Sequence, residues 1–223
     1  MTDTDPPDEG SMSHEAQPVA VRGTKVARSR RSRPPMAIDW NGELLDQVET
    51  HWHQRLRPRL EGLSDEEYYW APAPGSWTIH RRGESPAPVS YGAGDYTWDY
   101  GPASDGPAPM TTIAWRLGHL IETLASMNGV YFGGPRVTAE TFDYPGSAET
   151  ALRRLDDTYA AWVAGVRELG DEGLAARQGS KSPPEFADAP VARVVLYTSV
   201  EIFHHGAEIS LLRDLYLREP QAR

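Results

Sequence analysis

Residues 189–217 read APVARVVLYTSVEIFHHGAEISLLRDLYL, and this stretch is the strongest indication of the fold. When it is drawn as a helix, apolar residues occur at almost every angular position rather than along one stripe. A helix that is apolar nearly all round is buried at the centre of a helical protein. The stretch therefore predicts a long central helix from about Ala189 to Leu217.

Three further stretches have the three- and four-residue apolar spacing of amphipathic helices. The first, residues 40–62, follows Asp39, whose carboxylate can cap a helix, and Pro58 should kink its last turn. The second covers residues 111–134 and the third covers residues 147–170. Four helices of this length predict an all-α protein folded as a four-helix bundle.

The connection between helices one and two, residues 71–110, contains seven Pro and six Gly in 40 positions. This composition excludes a continuous helix and predicts a long inserted loop. Within it, WTI at residues 77–79 and YTW at residues 96–98 are candidates for short strands or extended segments. Loops of this length often cover functional sites in compact domains.

The N-terminal residues 1–36 lack hydrophobic periodicity and end close to two prolines, which predicts a disordered tail before a bundle domain at residues 37–223. The tail carries six basic and five acidic side chains, whereas the remainder carries 16 basic and 27 acidic ones. The negative charge of residues 37–223 repels the phosphate backbone of nucleic acids, so we expect no nucleic-acid partner.

The chain contains no Cys, which excludes disulfides, thiolate ligands and a cysteine nucleophile. No stretch approaches the roughly 18 consecutive apolar residues of a membrane helix, and the N-terminus has no apolar run typical of a secretory signal. We therefore expect a cytoplasmic protein with no membrane partner. Any thiol in its chemistry must come from a cosubstrate.

Three side chains on two predicted helices have the character of metal ligands. Glu201 and His205 are four residues apart, so they project from one face of helix four, one turn apart. His119 lies on or beside the inward stripe of helix two. Two imidazoles and a carboxylate form the three-ligand set of an open catalytic metal site. The spacing leaves open a polar core cluster in which Glu201 only holds a histidine.

Two acidic and two loop residues are further candidates for the site. Glu201 or Glu208, which share a face of helix four, could act as a general base. In the loop, His80 lies beside two arginines and could contact an anionic substrate. Trp77 could close the mouth of the bundle next to a bound cofactor. For both loop residues a structural role is the alternative.

Other charged residues favour structural roles. His204 points about 100° away from His205, so we expect a surface or hydrogen-bonded histidine. His51 and His53 face different sides of helix one, where exposure to solvent is expected, although either could approach the site as a fourth ligand or base. Arg213 and Asp214 are adjacent in the sequence, and we expect them to form an ion pair at a helix end.

Three motifs resemble those of a known family. WRLGHLI at residues 115–121 resembles the second-helix histidine motif of the DinB-like superfamily, and EIFHHGAEISLLRDLY at residues 201–216 resembles its fourth-helix motif. LEGLSDEEYYW at residues 60–70, with PGSW at residues 74–77, is similar to the segment after helix one in an actinobacterial-type branch. The resemblance extends from about residue 40 to residue 217.

This resemblance implies a four-helix bundle in which three histidines bind zinc or nickel. Carried over to this chain, the second-helix ligand is His119 and the last ligand is His205. The first histidine of the family's fourth-helix pair falls on Glu201, which keeps a ligand-forming group and adds negative charge to the site.

The resemblance also implies an activity, namely metal-dependent transfer of a low-molecular-weight thiol, of the mycothiol type, to a small electrophile. Two alternatives stay open: a metal-assisted hydrolase with water as the nucleophile, and a non-catalytic binding or stress-response bundle. Bundles of this type often form homodimers through helix faces, and the sequence does not single out a face.

Overall fold

The computed structural model describes residues 37–102 and 106–219. The predicted disordered tail, residues 1–36, lies outside the described residues and stays a prediction. Helix α1, Trp40–His51, begins where the sequence predicts, because the Asp39 carboxylate accepts a hydrogen bond from the backbone N–H of Gly42. That bond satisfies one of the amide hydrogens that a helix start leaves unpaired.

The end of this first helix departs from regular α geometry. A π-helical turn spans Trp52–Leu56, and a last short turn spans Arg57–Arg59. Pro58 has no backbone N–H to donate, so regular α-helical bonding cannot continue through it. The predicted kink is thus a change of helix type that begins six residues before Pro58. A short helix α2, Asp65–Tyr68, follows, and the Ser64 hydroxyl caps it.

The Pro- and Gly-rich connection forms a small antiparallel sheet, so the description as all-α is incomplete. Its strands are β1 (Ile79–Arg81), β2 (Val89–Tyr91) and β3 (Tyr96–Tyr100), in the order β1-β3-β2. Ile79 and Tyr91 both pair with Trp98 of the central strand. The extended segment predicted at residues 96–98 is therefore the middle of a sheet.

Three long helices follow the sheet. Helix α3 spans Ile113–Tyr131, α4 spans Ala148–Ala175 and α5 spans Ala192–Tyr216. The hydroxyls of Thr112 and Ser147 cap α3 and α4. The predicted end of the third helix at Gly170 is instead a kink, where the backbone takes a φ of 57° before α4 continues.

The four long helices pack around one core. Helices α1 and α3 each contact both α4 and α5. The ring of Trp52, in the π-helical turn after α1, stacks on Tyr159 of α4 with centroids 3.6 Å apart. The largest buried side chains come from all parts of this core, namely Trp162, Tyr68, Tyr144, Leu56, Leu60, Ile79, Ile113 and Leu117. In the part of the chain that the structure describes, no helix is long and apolar enough to cross a membrane.

Helix α5 is less buried than its sequence predicts. Its inner face is buried from Val194 to Leu212, but its outer face exposes several large aliphatic side chains. Leu196, Val200 and Leu211 are 51%, 57% and 59% exposed. The prediction of a fully surrounded helix is therefore wrong, because α1, α3 and α4 leave one side of α5 uncovered.

The sheet packs onto α3 at a glycine. A Cβ atom at Gly118 would lie 2.8 Å from Cδ1 of Ile79 and 3.2 Å from Cδ1 of Tyr144. A side chain there would push the strands away, so the glycine allows β1 and β3 to lie close to the helix. This contact brings Trp98 next to the residue that follows Gly118, His119.

Candidate metal centre

Two helices bring the three predicted ligands together. Glu201 and His205 lie one turn apart on α5, and Nε2 of His205 is 3.1 Å from Oε2 of Glu201. Helix α3 places Nε2 of His119 3.3 Å from the same oxygen. The three candidate donor atoms all lie within 4.8 Å of one another. The cluster could hold a divalent metal ion, as the spacing predicts.

The cluster is largely shielded from solvent. His205 is 7% exposed, and the side chains of Glu201 and His119 are 16% and 27% exposed. Burial, followed by the nearby His205, lowers the pKa of His119. A lowered pKa favours the neutral imidazole, which is the form that coordinates a metal.

A carboxylate orients His205 from its other side. Nδ1 of His205 lies 2.7 Å from Oε2 of Glu208, whereas Nε2 faces Glu201. An Nδ1 N–H that donates to Glu208 would leave the Nε2 lone pair for a metal ion. The same Glu208 oxygen forms a salt bridge with Nη1 of Arg116 at 3.0 Å. Metal-ligating histidines commonly donate their second nitrogen to a carboxylate in this way. Glu208, predicted as a base, therefore lies on the far side of His205 from Glu201.

The ring of His119 lies beside two mutually stacked aromatic side chains that the sequence did not single out as site residues. Trp98 from the sheet and Trp115 from α3 lie nearly parallel to it, with centroids 5.9 Å and 5.7 Å away. Hydrogen bonds fix both indoles. The Nε1 N–H of Trp98 donates a hydrogen bond to the backbone carbonyl of Trp115, and that of Trp115 donates one to the backbone carbonyl of Asp99. The inserted sheet thus forms one wall of the centre.

A cavity of about 610 Å³ adjoins this wall. Trp77, Trp115 and Arg116 line it, together with small and Pro residues that include Gly101, Pro102, Gly106 and Pro109. Arg116 links the cavity to the centre because its guanidinium pairs with Glu208, and its Nε is buried with no hydrogen-bond partner among the described residues. Trp77, a predicted cofactor contact, therefore lies in the wall of the neighbouring cavity.

His80 is not brought to the centre. Its Nε2 lies 3.1 Å from the buried carboxylate of Asp99, which also accepts hydrogen bonds from Ser85 and the backbone of Thr78. Side chains alternate across a strand, so His80 lies on the face of the sheet opposite Trp98. The contact of His80 with a cofactor stays a prediction, and in the structure the residue contacts Asp99.

The other histidines are not part of the three-residue cluster, although His204, His205 and Glu208 form a second possible ligand group. His204 is 62% exposed and pairs with Glu208 at 3.3 Å, the hydrogen-bonded surface position that its angle on the helix predicts. His51 packs its ring edge against Phe203, and His53 is exposed. Neither His51 nor His53 belongs to a possible metal-ligand group among the described residues.

A family model described as the DinB superfamily matches residues 47–83 and 90–209, more than half of the chain. The chain belongs to the DinB superfamily. No curated protein and no solved structure gives a significant match. The resemblance seen in the sequence is confirmed at the level of the superfamily, and the actinobacterial branch stays a prediction.

Proteins of the DinB superfamily bind metal ions, and the residues of this member fit such an ion chemically. Two imidazole nitrogens and one carboxylate oxygen suit zinc, nickel or ferrous iron better than magnesium or calcium, which prefer all-oxygen sites. The carboxylate behind His205 is the expected outer partner of a ligating histidine. His119, Glu201 and His205 would hold the ion, and Glu208 would orient His205.

Proposed function

We propose that this DinB protein is a four-helix-bundle enzyme that uses a divalent metal, zinc or nickel, to join a low-molecular-weight thiol to a small electrophile. The observation that carries the proposal is the convergence of His119, Glu201 and His205 beside a cavity of about 610 Å³. A divalent cation lowers the pKa of a coordinated thiol or water by several units.

The residues around the centre support catalysis by holding it rigid. Arg116 and Glu208 fix the ring of His205, and the indoles of Trp98 and Trp115 fix the ring of His119. Preorganised ligands of this kind keep reacting groups in position without rearrangement during the reaction.

The thiol must come from outside, because the chain contains no Cys. In the proposed reaction the thiol gives its proton to water, and its sulfur forms a bond to the electrophilic carbon. The leaving group departs with the electrons of its own bond. The cavity beside Trp115 and Arg116 is the space next to the centre in which an electrophile can lie. The expected cytoplasmic location belongs with this proposal, since thiols are kept reduced there.

Metal content tests the first part of the proposal. The protein purified without an affinity tag should carry about one equivalent of divalent metal per chain, and His119→Ala and His205→Ala should lose it. His53→Ala is the matched control, because it removes an exposed histidine outside the cluster. A metal-free wild type after reconstitution with zinc or nickel would reject the proposal and favour a non-catalytic bundle.

Activity tests the second part. The metal-loaded protein is mixed with 1-chloro-2,4-dinitrobenzene and mycothiol, with cysteine as a comparison thiol. Thioether formation that needs the protein, the thiol and an intact His205 supports the transferase. Turnover of ester or amide substrates that is unchanged when thiol is omitted would replace the transferase with the hydrolase.

A further inference from the structure

A second concave site lies at the opposite end of α3 and α5 from the cavity beside Trp115. The end of α3, the start of α5 and the connection between α4 and α5 enclose a groove of about 370 Å³. Its lining is mainly apolar, with Met127, Val130 and Tyr131 from α3 and Val194 from α5. A concave apolar lining with few polar groups is typical of small-molecule sites.

Two cations lie in the lining of this groove. Lys181 lies over the ring of Tyr131, 5.5 Å from its centroid, and Arg193 lies over the ring of Phe186 at 4.7 Å. Neither forms a salt bridge with another described residue, whereas Arg177, close by, pairs with Asp188. The aromatic contacts orient both cations without neutralising them.

The two cations of the groove lie in a chain whose remaining charge is mainly acidic. From residue 37 onward acidic side chains outnumber basic ones by 27 to 16, so the field of the molecule disfavours anions in general. Within the groove, the two cations without salt bridges among the described residues would favour an anion in spite of the negative charge of the whole chain. An anion bound there would form charge-assisted hydrogen bonds while its apolar part replaces water on the lining.

We propose that this groove binds a small organic anion, a carboxylate or sulfonate with an apolar body. The body lies against Met127, Val130 and Val194, and the anionic group pairs with Lys181 and Arg193. Tyr197 also lines the groove and stands one helical turn before Glu201. The groove shares no residue with the metal cluster, and its two cations lie outside that cluster.

Calorimetric titration with a matched pair of probes tests the proposal. 2-Naphthoate and 2-naphthamide have nearly the same shape and differ in charge, so the full-length protein should bind the carboxylate at least ten-fold more tightly. Equal affinity for both probes would overturn the proposal, because it would show an apolar groove without anion selectivity. The absence of 2-naphthoate binding at millimolar concentration would overturn it as well.

Amino-acid substitutions test whether 2-naphthoate binds in this groove. Lys181→Gln and Arg193→Gln should each weaken 2-naphthoate by several-fold, and the double variant should remove the preference over the amide. Arg177→Gln is the control, since it deletes a neighbouring cation that already has an acidic partner. An equal loss in Arg177→Gln would show a general charge effect and reject the site. His205→Ala should bind 2-naphthoate like the wild type, which separates this result from the outcome of the metal experiment.

Discussion

At the scale of single residues, Glu122 on α3 is a half-buried carboxyl group with an unusual proton affinity. Burial, followed by the nearby Glu140, raises the pKa of Glu122 to about 7 from an ordinary value of 4.5. The folded state therefore holds its proton more tightly than the unfolded state. Its ionisation destabilises the fold progressively as the pH rises from about 4.5 to about 7.

We predict that Glu122→Gln stabilises the protein at pH 8 by about 1–3 kcal/mol and has a much smaller effect at pH 5. Urea unfolding at the two pH values measures the difference. Glu168→Gln, which changes an exposed glutamate on α4, should have little effect at either pH. The same stabilisation at pH 5 and pH 8 would contradict the assignment of the effect to ionisation.

Glu201 and Glu208 are predicted to differ in their contributions to metal binding. Glu201→Ala removes a ligand and should abolish stoichiometric zinc binding. Glu208→Gln leaves all three ligands and loosens only the orientation of His205, so zinc affinity should fall by about 10–100-fold. Competition with a chromophoric chelator measures both effects. His204→Ala, which deletes the exposed partner of Glu208, serves as the control and should bind like the wild type.

The sequence predicted the clustering of the three candidate ligands better than their surroundings. Helical spacing placed Glu201 and His205 on one face, and the motif around His119 supplied the third group. The stacking of Trp98 on His119 joins residues 21 positions apart through a sheet, so no local pattern could reveal it. The ion pair of Arg116 could not be predicted for a similar reason, because its partner Glu208 lies on another helix.

At the scale of elements, a buried ion pair ties α2 to α5. Glu67 is only 3% exposed, and Oε2 of its carboxylate accepts from Nη2 of Arg213 at 3.0 Å. Arg213 also donates to the backbone carbonyls of Arg59 and Glu61. The sequence suggested an ion pair between neighbours 213 and 214, but Asp214 pairs with Arg59 instead.

Arg213→Ala is predicted to destabilise the protein by about 3–5 kcal/mol, because it leaves the Glu67 carboxylate buried without a partner. Arg177→Ala breaks an exposed pair, with side chains 75% and 87% exposed, and should change stability by less than about 1 kcal/mol. Thermal and urea unfolding of both variants would measure the contrast. Similar small losses in both would show that Glu67 gains access to water or another partner.

Element boundaries were predictable where capping chemistry is local. Asp39, Thr112 and Ser147 cap helices at the positions that the sequence indicates. Gly170 was expected to end a helix, yet α4 continues beyond it because Leu174 is packed into the core. The sheet could be anticipated only as extended segments, since its pairing depends on a connection that folds back along the chain.

At the scale of the whole molecule, the metal cluster joins two helices that are distant in sequence. His119 lies on α3, whereas Glu201 and His205 lie on α5, and the sheet covers the cluster through Trp98. An ion bound by all three ligands would therefore act as a cross-link between α3 and α5. Because the ligands come together only in the folded state, the binding energy adds to the stability of the fold.

We predict that removal of metal lowers the Tm of the wild type. At free zinc about 100-fold above Kd, linkage contributes about 2.7 kcal/mol, which corresponds to a Tm shift of about 5–10 °C for a protein of this size. Differential scanning calorimetry with zinc and with a chelator measures the shift. In His119→Ala the shift should nearly vanish, because the link from α3 is lost, whereas His53→Ala should keep it. A wild type with the same Tm in zinc and in chelator would mean that the three side chains form a polar core cluster, held together by Glu201 alone.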